Sequence, residues 1–179
     1  MFHRQLLQGR IQLPEESEVL DQYQALQQWC RTHGWSHYEV SSYCREGRRS
    51  IHNSRYWNRT PYLGVGAAAH SFDGASRRWN ISDAGRYAAA VFAGSPFYES
   101  ETLTEADALN EYLMTGLRTF DGLDLAYLQS HWPRYAPSVL QGAEKFIREA
   151  LLVRRDDSLC PTDEGILHAD GMASDLFVE

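Results

Sequence analysis

The chain has 179 residues, of which 43% are hydrophobic, so it can bury a core as one domain or as two small ones. Its formal net charge of −7 argues against a protein that binds nucleic acid by neutralising phosphates. No apolar run approaches the roughly 18 residues of a membrane span, and the N-terminus has no apolar export segment, so we expect a soluble, cytoplasmic protein.

The first half of the chain is predicted to open with a helix and a strand. After Pro14, apolar residues recur at helical spacing, acids crowd the first turn, and Gly34 ends the pattern. Alternating residue types predict a strand over residues 35–43. Residues 44–61 show no sustained period, which predicts an ordered loop, and residues 62–72 are predicted as a short strand that runs into a glycine turn.

The second half is predicted to be mainly helical. The predicted helices cover residues 82–94, 104–122, 123–131, 138–149 and 163–177, and Thr104 caps the second of them. A hairpin is predicted to turn at Asp156 and Asp157. Because three helices, a hairpin and a last helix are the order of a winged-helix-like module, we place a boundary in the linker of residues 96–103. The predicted domains are residues 1–98 and 99–179.

Arginines concentrate in one segment of the chain. Between Arg45 and Arg78 there are seven arginines and two acids, a formal charge of +5, so the remainder carries −12. Such a segment is either a solvated loop or a site for an anionic partner, because arginine pairs with carboxylate and phosphate through two hydrogen bonds. The chain also has three widely separated cysteines without a CxxC pair, which predicts reduced packing residues: Cys30, Cys44 and Cys160.

Residues 51–72, IHNSRYWNRTPYLGVGAAAHSF, hold the candidate site residues. His52 and His70 could ligate a metal or haem, or be hydrogen-bonded structural groups. Tyr56 and Trp57 could stack on a flat macrocycle or close a local core. With the nearby arginines, these residues indicate an aromatic, basic loop suited to a planar anionic ligand.

The glycines of this stretch allow a tight turn. Gly64 and Gly66 follow a predicted strand and could bring backbone N–H groups close to a ligand. The sequence GVGAAA lacks the third glycine of the dinucleotide-binding fingerprint, and no Ser/His/Asp or Cys/His order indicates a nucleophile.

A family resemblance extends along nearly the whole chain. The segment YEVSSYCREGRRSIHNSRYWNRTPYLGVGAAAHS resembles the pattern YEISNYA, HNxxYW, YLGIGxGAHS of the oxygen-independent coproporphyrinogen III oxidase-like radical SAM family (HemN/HemW type). Its HNxxYW element resembles the mark of the haem chaperone branch. The later stretches RRWNIS to FDGLDL and LLVRRDD to SDLF are similar to the family's closing motifs. Four residues depart from the common pattern, namely Ser42, Cys44, Ala67 and Ala68.

The resemblance implies an α+β fold, in which the end of a radical SAM (β/α) barrel precedes a mainly helical, winged-helix-like C-terminal domain. In the family, an N-terminal CxxxCxxC motif holds a [4Fe-4S] cluster that binds S-adenosylmethionine. This sequence has no such motif, so we interpret it as a C-terminal fragment. We expect that it does not cleave S-adenosylmethionine alone, and that its truncated barrel edge promotes self-association.

The resemblance also implies a ligand and its contacts. Haem or a porphyrin would be bound and passed to haem-acceptor proteins, with His52 as the axial metal ligand and Asn53 orienting its ring. The other candidate cofactor-binding residues are the ring walls Tyr56 and Trp57, the propionate partners Arg48, Arg49 and Arg55, and Gly64 and Gly66 beside the S-adenosylmethionine pocket.

Two other functions remain open at the level of sequence. One is an oxygen-independent coproporphyrinogen III dehydrogenase, which decarboxylates propionates. The other is a winged-helix nucleic-acid-binding module, against which the excess of acids after Glu101 counts.

Overall fold

A computed structural model of the protein describes residues 2–179. The first elements are α1 (Phe2–Leu7), α2 (Glu16–Thr32) and an antiparallel hairpin of β1 (Ser36–Glu39) and β2 (Ser42–Cys44). The helix predicted after Pro14 is confirmed, and it ends before Gly34, whose φ of 72° suits glycine. The single strand predicted over residues 35–43 is instead two strands, because the chain turns at Val40.

The apolar stripe of α2 is largely uncovered. Its C-terminal end is packed, since Cys30 is buried and the Tyr23 hydroxyl donates to the Val40 carbonyl over 3.2 Å. Val19 and Leu26 on the same stripe are 50% and 48% exposed. The helical period in the sequence therefore predicts an apolar face of α2 that the rest of the described chain covers only in part.

The middle of the chain forms α3 (Ile51–Trp57), β3 (His70–Phe72), β4 (Ser76–Asn80), α4 (Ala84–Phe92) and β5 (Tyr98–Thr102). The three strands make an antiparallel sheet in the order β3, β4, β5, and β5 is exposed along its whole length. The predicted helix over residues 82–94 is confirmed as α4. The predicted loop over residues 44–61 contains α3, and the predicted linker over residues 96–103 contains β5.

The predicted glycine turn lies between Tyr62 and β3. A Cβ atom on Gly64 would come within 2.0 Å of the His70 carbonyl oxygen, so only glycine fits this approach. Gly66 has a φ of 109°; its N–H donates to the Tyr87 hydroxyl and its carbonyl accepts from the Asn80 amide. Both glycines therefore shape the backbone of this turn.

The last elements are α5 (Glu105–Leu117), β6 (Leu123–Asp124), α6 (Leu125–His131), α7 (Ala136–Arg148), β7 (Leu152–Arg155), β8 (Ser158–Pro161), a 3₁₀ turn (Gly165–His168) and α8 (Ala169–Asp175). The strands form a sheet in the order β6, β8, β7. Thr104 caps α5 as predicted, since its hydroxyl accepts from the Asp107 N–H. The hairpin at Asp156 and Asp157 is confirmed, whereas the last predicted helix is divided into the 3₁₀ turn and α8.

The largest core cluster of the described residues lies within this last group of elements. α5 contributes three leucines without exposed surface, and β6, α6, α7, the β7–β8 hairpin and α8 pack around them. The residues at its centre are Leu109, Leu113, Leu117, Leu123, Leu128, Val139, Leu152, Leu159 and Met172. Burial of several complete leucine side chains, each contributing about 1.5–3 kcal/mol, is the main stabilising term here.

The turn between α5 and β6 gives a test of this packing. Gly122 has a φ of 73°, and a Cβ atom there would lie 2.2 Å from the Leu159 carbonyl oxygen. We expect Gly122→Ala to lower the free energy of unfolding by about 1–3 kcal/mol, because it adds backbone strain and a clash. Urea unfolding measures this loss.

The matched control is Gly171→Ala in α8. Nothing lies within 4 Å of a Cβ atom at Gly171, so alanine there should stabilise the helix by up to about 1 kcal/mol. If both variants unfold at the same urea concentration as the unaltered protein, the inference that a side chain at position 122 would clash is wrong.

Candidate functional site

The sequence HNxxYW forms most of α3, and its residues divide between two faces of the helix. His52 and Tyr56 are one turn apart and both exposed, with ring centroids 5.1 Å apart and planes at 88°. Asn53 and Trp57 are also one turn apart and face the rest of the protein. The structure therefore brings His52 and Tyr56 together and turns Trp57 to another side.

The outer face of α3 continues into a row of aromatic rings. The Tyr56 ring meets the Tyr62 ring edge-on at 4.7 Å, and Tyr62 lies 6.3 Å from Phe72 on β3. His52 stands at the exposed end of this row. Among the described residues, neither ring nitrogen of His52 has a hydrogen-bond partner, so the imidazole is open to an incoming ligand.

The inner face of α3 contacts a buried carboxylate. The Asn53 amide donates to Glu39 Oε1 over 3.5 Å and to Ser42 Oγ over 3.4 Å, and Glu39 is only 1% exposed. The Ser41 hydroxyl also donates to Glu39, over 3.2 Å. Asn53 is thus directed at the β1–β2 hairpin rather than at the His52 ring, which differs from the orienting role predicted for it.

A cleft of about 340 Å³ separates α3 and β1 from α5 and α6. Four aromatic residues line it, namely Tyr38, Trp57, Tyr112 and Tyr127. The indole N–H of Trp57 is buried without a hydrogen-bond partner in the described part of the chain, and the Arg118 guanidinium lies 6.0 Å from the Trp57 ring. Burial raises the pKa of Tyr112, whose hydroxyl donates to the Asp124 carbonyl over 2.9 Å. The cleft therefore offers flat apolar walls.

The candidate arginines have different environments. Arg49 pairs with Asp121 over 2.5 Å, lies 5.6 Å from the centre of the Tyr38 ring and lines the cleft. The hydrogen bond to Asp121 raises the pKa of Arg49. Arg48 before α3 and Arg55 on α3 are exposed and form no ion pair with the described residues. The basic segment is therefore partly engaged in internal pairs and partly open to solvent.

Comparison with known proteins covers most of the chain. Residues 103–168 match the family model of the HemN C-terminal domain. A protein from Mycobacterium tuberculosis named "Heme chaperone HemW" is 31% identical over 177 residues, which are 97% of this chain and 43% of that protein. The chain belongs to the HemN/HemW-type radical SAM family.

A second relative and one solved structure are also similar to this chain. A Bacillus subtilis protein named "Heme chaperone HemW" is 25% identical over 159 residues, 88% of this chain and 42% of that protein. The solved structure described as coproporphyrinogen III oxidase (HemN) from Escherichia coli superimposes with a TM-score of 0.72 over 93% of this chain and 42% of that one, at 17% identity. The fold is thus HemN-like, and the chain spans less than half the length of these relatives.

The cysteines of this chain do not fit the cluster of radical SAM proteins. Cys30, Cys44 and Cys160 are all buried and free. Within residues 2–179, no group of three or more His, Cys, Asp or Glu side chains is arranged to hold a metal ion, and no helix is long and apolar enough to cross a membrane. Three thiolates that could share one [4Fe-4S] cluster are therefore not found in the described chain.

Glu111 on α5 joins the HNxxYW segment to the helical part of this HemN-like fold. Its carboxylate pairs with Arg59, two residues beyond α3, and with Arg77 on β4. Arg77 also lies 3.6 Å from Glu101 on β5. We call the ion pairs of Glu111 with Arg59 and Arg77 the Glu111 clamp. The local sequence pattern does not predict it, because the three residues are far apart along the chain.

Arg118 forms a second long-range pair that the sequence did not predict. Its guanidinium donates two hydrogen bonds to Asp170 at the start of α8, over 2.6 and 2.7 Å. These bonds lower the pKa of Asp170 and raise that of Arg118. Arg118 is thereby fixed beside Trp57 and the cleft.

The Glu111 clamp gives a stability test. The Arg59 side chain is only 14% exposed, so Glu111→Gln would leave a largely buried guanidinium without its counter-charge. We expect the variant to lose about 1–3 kcal/mol of unfolding free energy. Glu144→Gln is the matched control, since its pair with Arg154 is more than half exposed and should change stability by no more than about 0.5 kcal/mol. Equal losses in the two variants would contradict the clamp.

His37 gives a second test, through pH. Its ring stacks on Tyr43 at 4.2 Å, its nitrogens have no partner among residues 2–179, and burial lowers its pKa. Below about pH 6.5 the unfolded chain takes up a proton that the folded ring resists, so the free energy of unfolding should fall as the pH falls through that range. Urea unfolding between about pH 7.5 and 5 should show a smaller fall for His37→Phe. Identical pH profiles would refute the neutral, buried state of His37.

Proposed function

We propose that this chain binds haem at the outer face of α3 and supplies the haem-handling part of a HemW-type chaperone. The observation that carries the proposal is the position of His52, exposed at the end of an aromatic row with both ring nitrogens unpaired among the described residues. Neutral imidazole is a good ligand for haem iron, and exposed aromatic rings favour contact with a flat macrocycle.

The names of the relatives support the same reading. Two of the proteins that match most of this chain are called "Heme chaperone HemW". We therefore propose that bound haem is passed on to haem-acceptor proteins. We propose that the [4Fe-4S] cluster and S-adenosylmethionine belong to the full-length parent protein, since the cysteines of this chain do not fit a cluster.

Each residue of the proposed site has a separate task. His52 supplies the nitrogen that faces the iron, and Tyr56 supplies the adjacent ring wall. Arg48 and Arg55 are exposed cations close in sequence to His52, so they can meet the propionates at the edge of the ring. Bound haem would contribute an iron that accepts imidazole as an axial ligand.

The remaining candidates act through position. Asn53 holds α3 on the β1–β2 hairpin through Glu39 and Ser42. Gly64 and Gly66 fold the turn that follows Tyr62, which packs against Tyr56. We propose that these residues set the outer face of α3 rather than contact haem themselves.

Replacement of His52 tests the proposal directly. We expect His52→Ala to remove or broaden the Soret band of added haem and to weaken binding at least about tenfold, roughly 1.4 kcal/mol, because the iron loses its axial nitrogen. Haem titration followed by absorbance measures the effect. Because His52 is exposed and its ring meets the Tyr56 ring edge-on, the variant should remain folded.

His70→Ala is the control for this experiment. His70 is exposed on β3 opposite Trp79, and it lies outside α3. Its replacement should change haem affinity much less. If His52→Ala and the unaltered protein bind haem equally well, His52 is not the axial ligand and the proposal fails.

A further inference from the structure

The carboxylate of Asp121 forms an ion pair with the guanidinium of Arg49. The two side chains lie 2.5 Å apart, and they are 68% and 47% exposed. An ion pair with this exposure contributes only about 0–1 kcal/mol, so another carboxylate can replace Asp121 at little cost. The Arg59–Glu111 pair is much less exposed and is not exchangeable in the same way.

The Arg49 side chain is also restricted by a contact with an aromatic ring. Its guanidinium lies 5.6 Å from the centre of the Tyr38 ring, which restricts the side chain before any ligand arrives. It lines the cleft together with Trp57, whose indole N–H has no acceptor within residues 2–179. The Arg49 guanidinium therefore lies at a cleft with flat aromatic walls.

The cleft lies close to the proposed iron ligand along the chain. Arg49 precedes Ser50, the N-cap residue of α3, and is three residues before His52. Arg49 is therefore close along the chain to the residue that would hold a planar ligand.

We infer that the cleft receives a carboxylate of the porphyrin ring, which displaces Asp121 from Arg49. Asp121 is then an internal competitor that keeps Arg49 neutralised until a carboxylate-bearing ligand arrives. This inference rests on the proposed haem binding and adds a specificity residue to it. The exchange makes or breaks no covalent bond, and one carboxylate takes the place of another on the same guanidinium.

The test is a substitution that should strengthen binding. Asp121→Asn removes the competing charge, so we expect the full chain to bind haem about three- to fivefold more tightly, the gain that an exposed ion pair can supply. Arg49→Gln should weaken binding, and the double variant should behave like Arg49→Gln. An iron porphyrin whose two propionates are methyl esters should bind the unaltered protein and Asp121→Asn equally.

Asp175→Asn is the control for net charge. Asp175 forms a comparable exposed pair with Lys145 over 2.6 Å and does not line the cleft. It removes the same charge from the chain, and we expect no more than a small change in haem affinity. If Asp121→Asn and Asp175→Asn raise haem affinity equally, the inference is overturned, because the change in net charge alone would then explain the gain in affinity.

The outcomes separate this inference from the proposed function. If His52→Ala weakens haem binding but Asp121→Asn does not strengthen it, the exchange is overturned and haem binding stands. If Asp121→Asn strengthens binding of the diester as much as that of haem, the exchange is also overturned. If His52→Ala has no effect, the proposed haem site itself fails.

Discussion

The arrangement of the site depends on one carboxylate shared by two guanidinium groups. Glu111 stands on α5, inside the most deeply buried part of the chain, and it meets Arg59 after α3 and Arg77 on β4. Two positive charges that would repel each other are thereby held on one negative charge. These ion pairs attach α3 and the β3–β4–β5 sheet to the helical core. Both elements bury much less apolar surface than the core does.

That attachment explains why α3 can present the residues of the proposed haem site to solvent. Its inner face is occupied by Glu39, Ser42 and the cleft walls, while His52 and Tyr56 on the outer face are exposed. His52 and Tyr56 are therefore open to the proposed ligand. A short helix that is anchored on one side is positioned more accurately than a loop of the same length.

Sequence patterns predict the elements whose structure depends on residues that are close along the chain. The cap at Thr104, the apolar period of α5 and the turn at Asp156 are determined by residues within a few positions of one another. The sequence IHNSRYW predicts a loop because it has no sustained apolar period, whereas the structure forms α3 there through contacts with the β1–β2 hairpin and Arg118. The pairing of β4 with β5 was missed for the same reason, since it is non-local.

For the site, sequence identified His52 and Tyr56, which do lie together, but it could not supply the partners of the arginines. Arg49 and Asp121 are 72 residues apart, and Arg59 and Glu111 are 52 apart. Residue type shows that an arginine can bind an acid, but only the fold determines which acid.

The exposed strand β5 has a consequence for the edge of the middle sheet. Glu99 and Glu101 point to one face of the strand, where Glu99 accepts from the Trp79 indole and Glu101 lies near Arg77. Antiparallel pairing of two copies through this edge, centred on Ser100, would set Glu99 of each copy against Glu101 of the other. Like charges facing each other across strands oppose such pairing, so the two glutamates act as gatekeepers that discourage growth of the sheet beyond three strands.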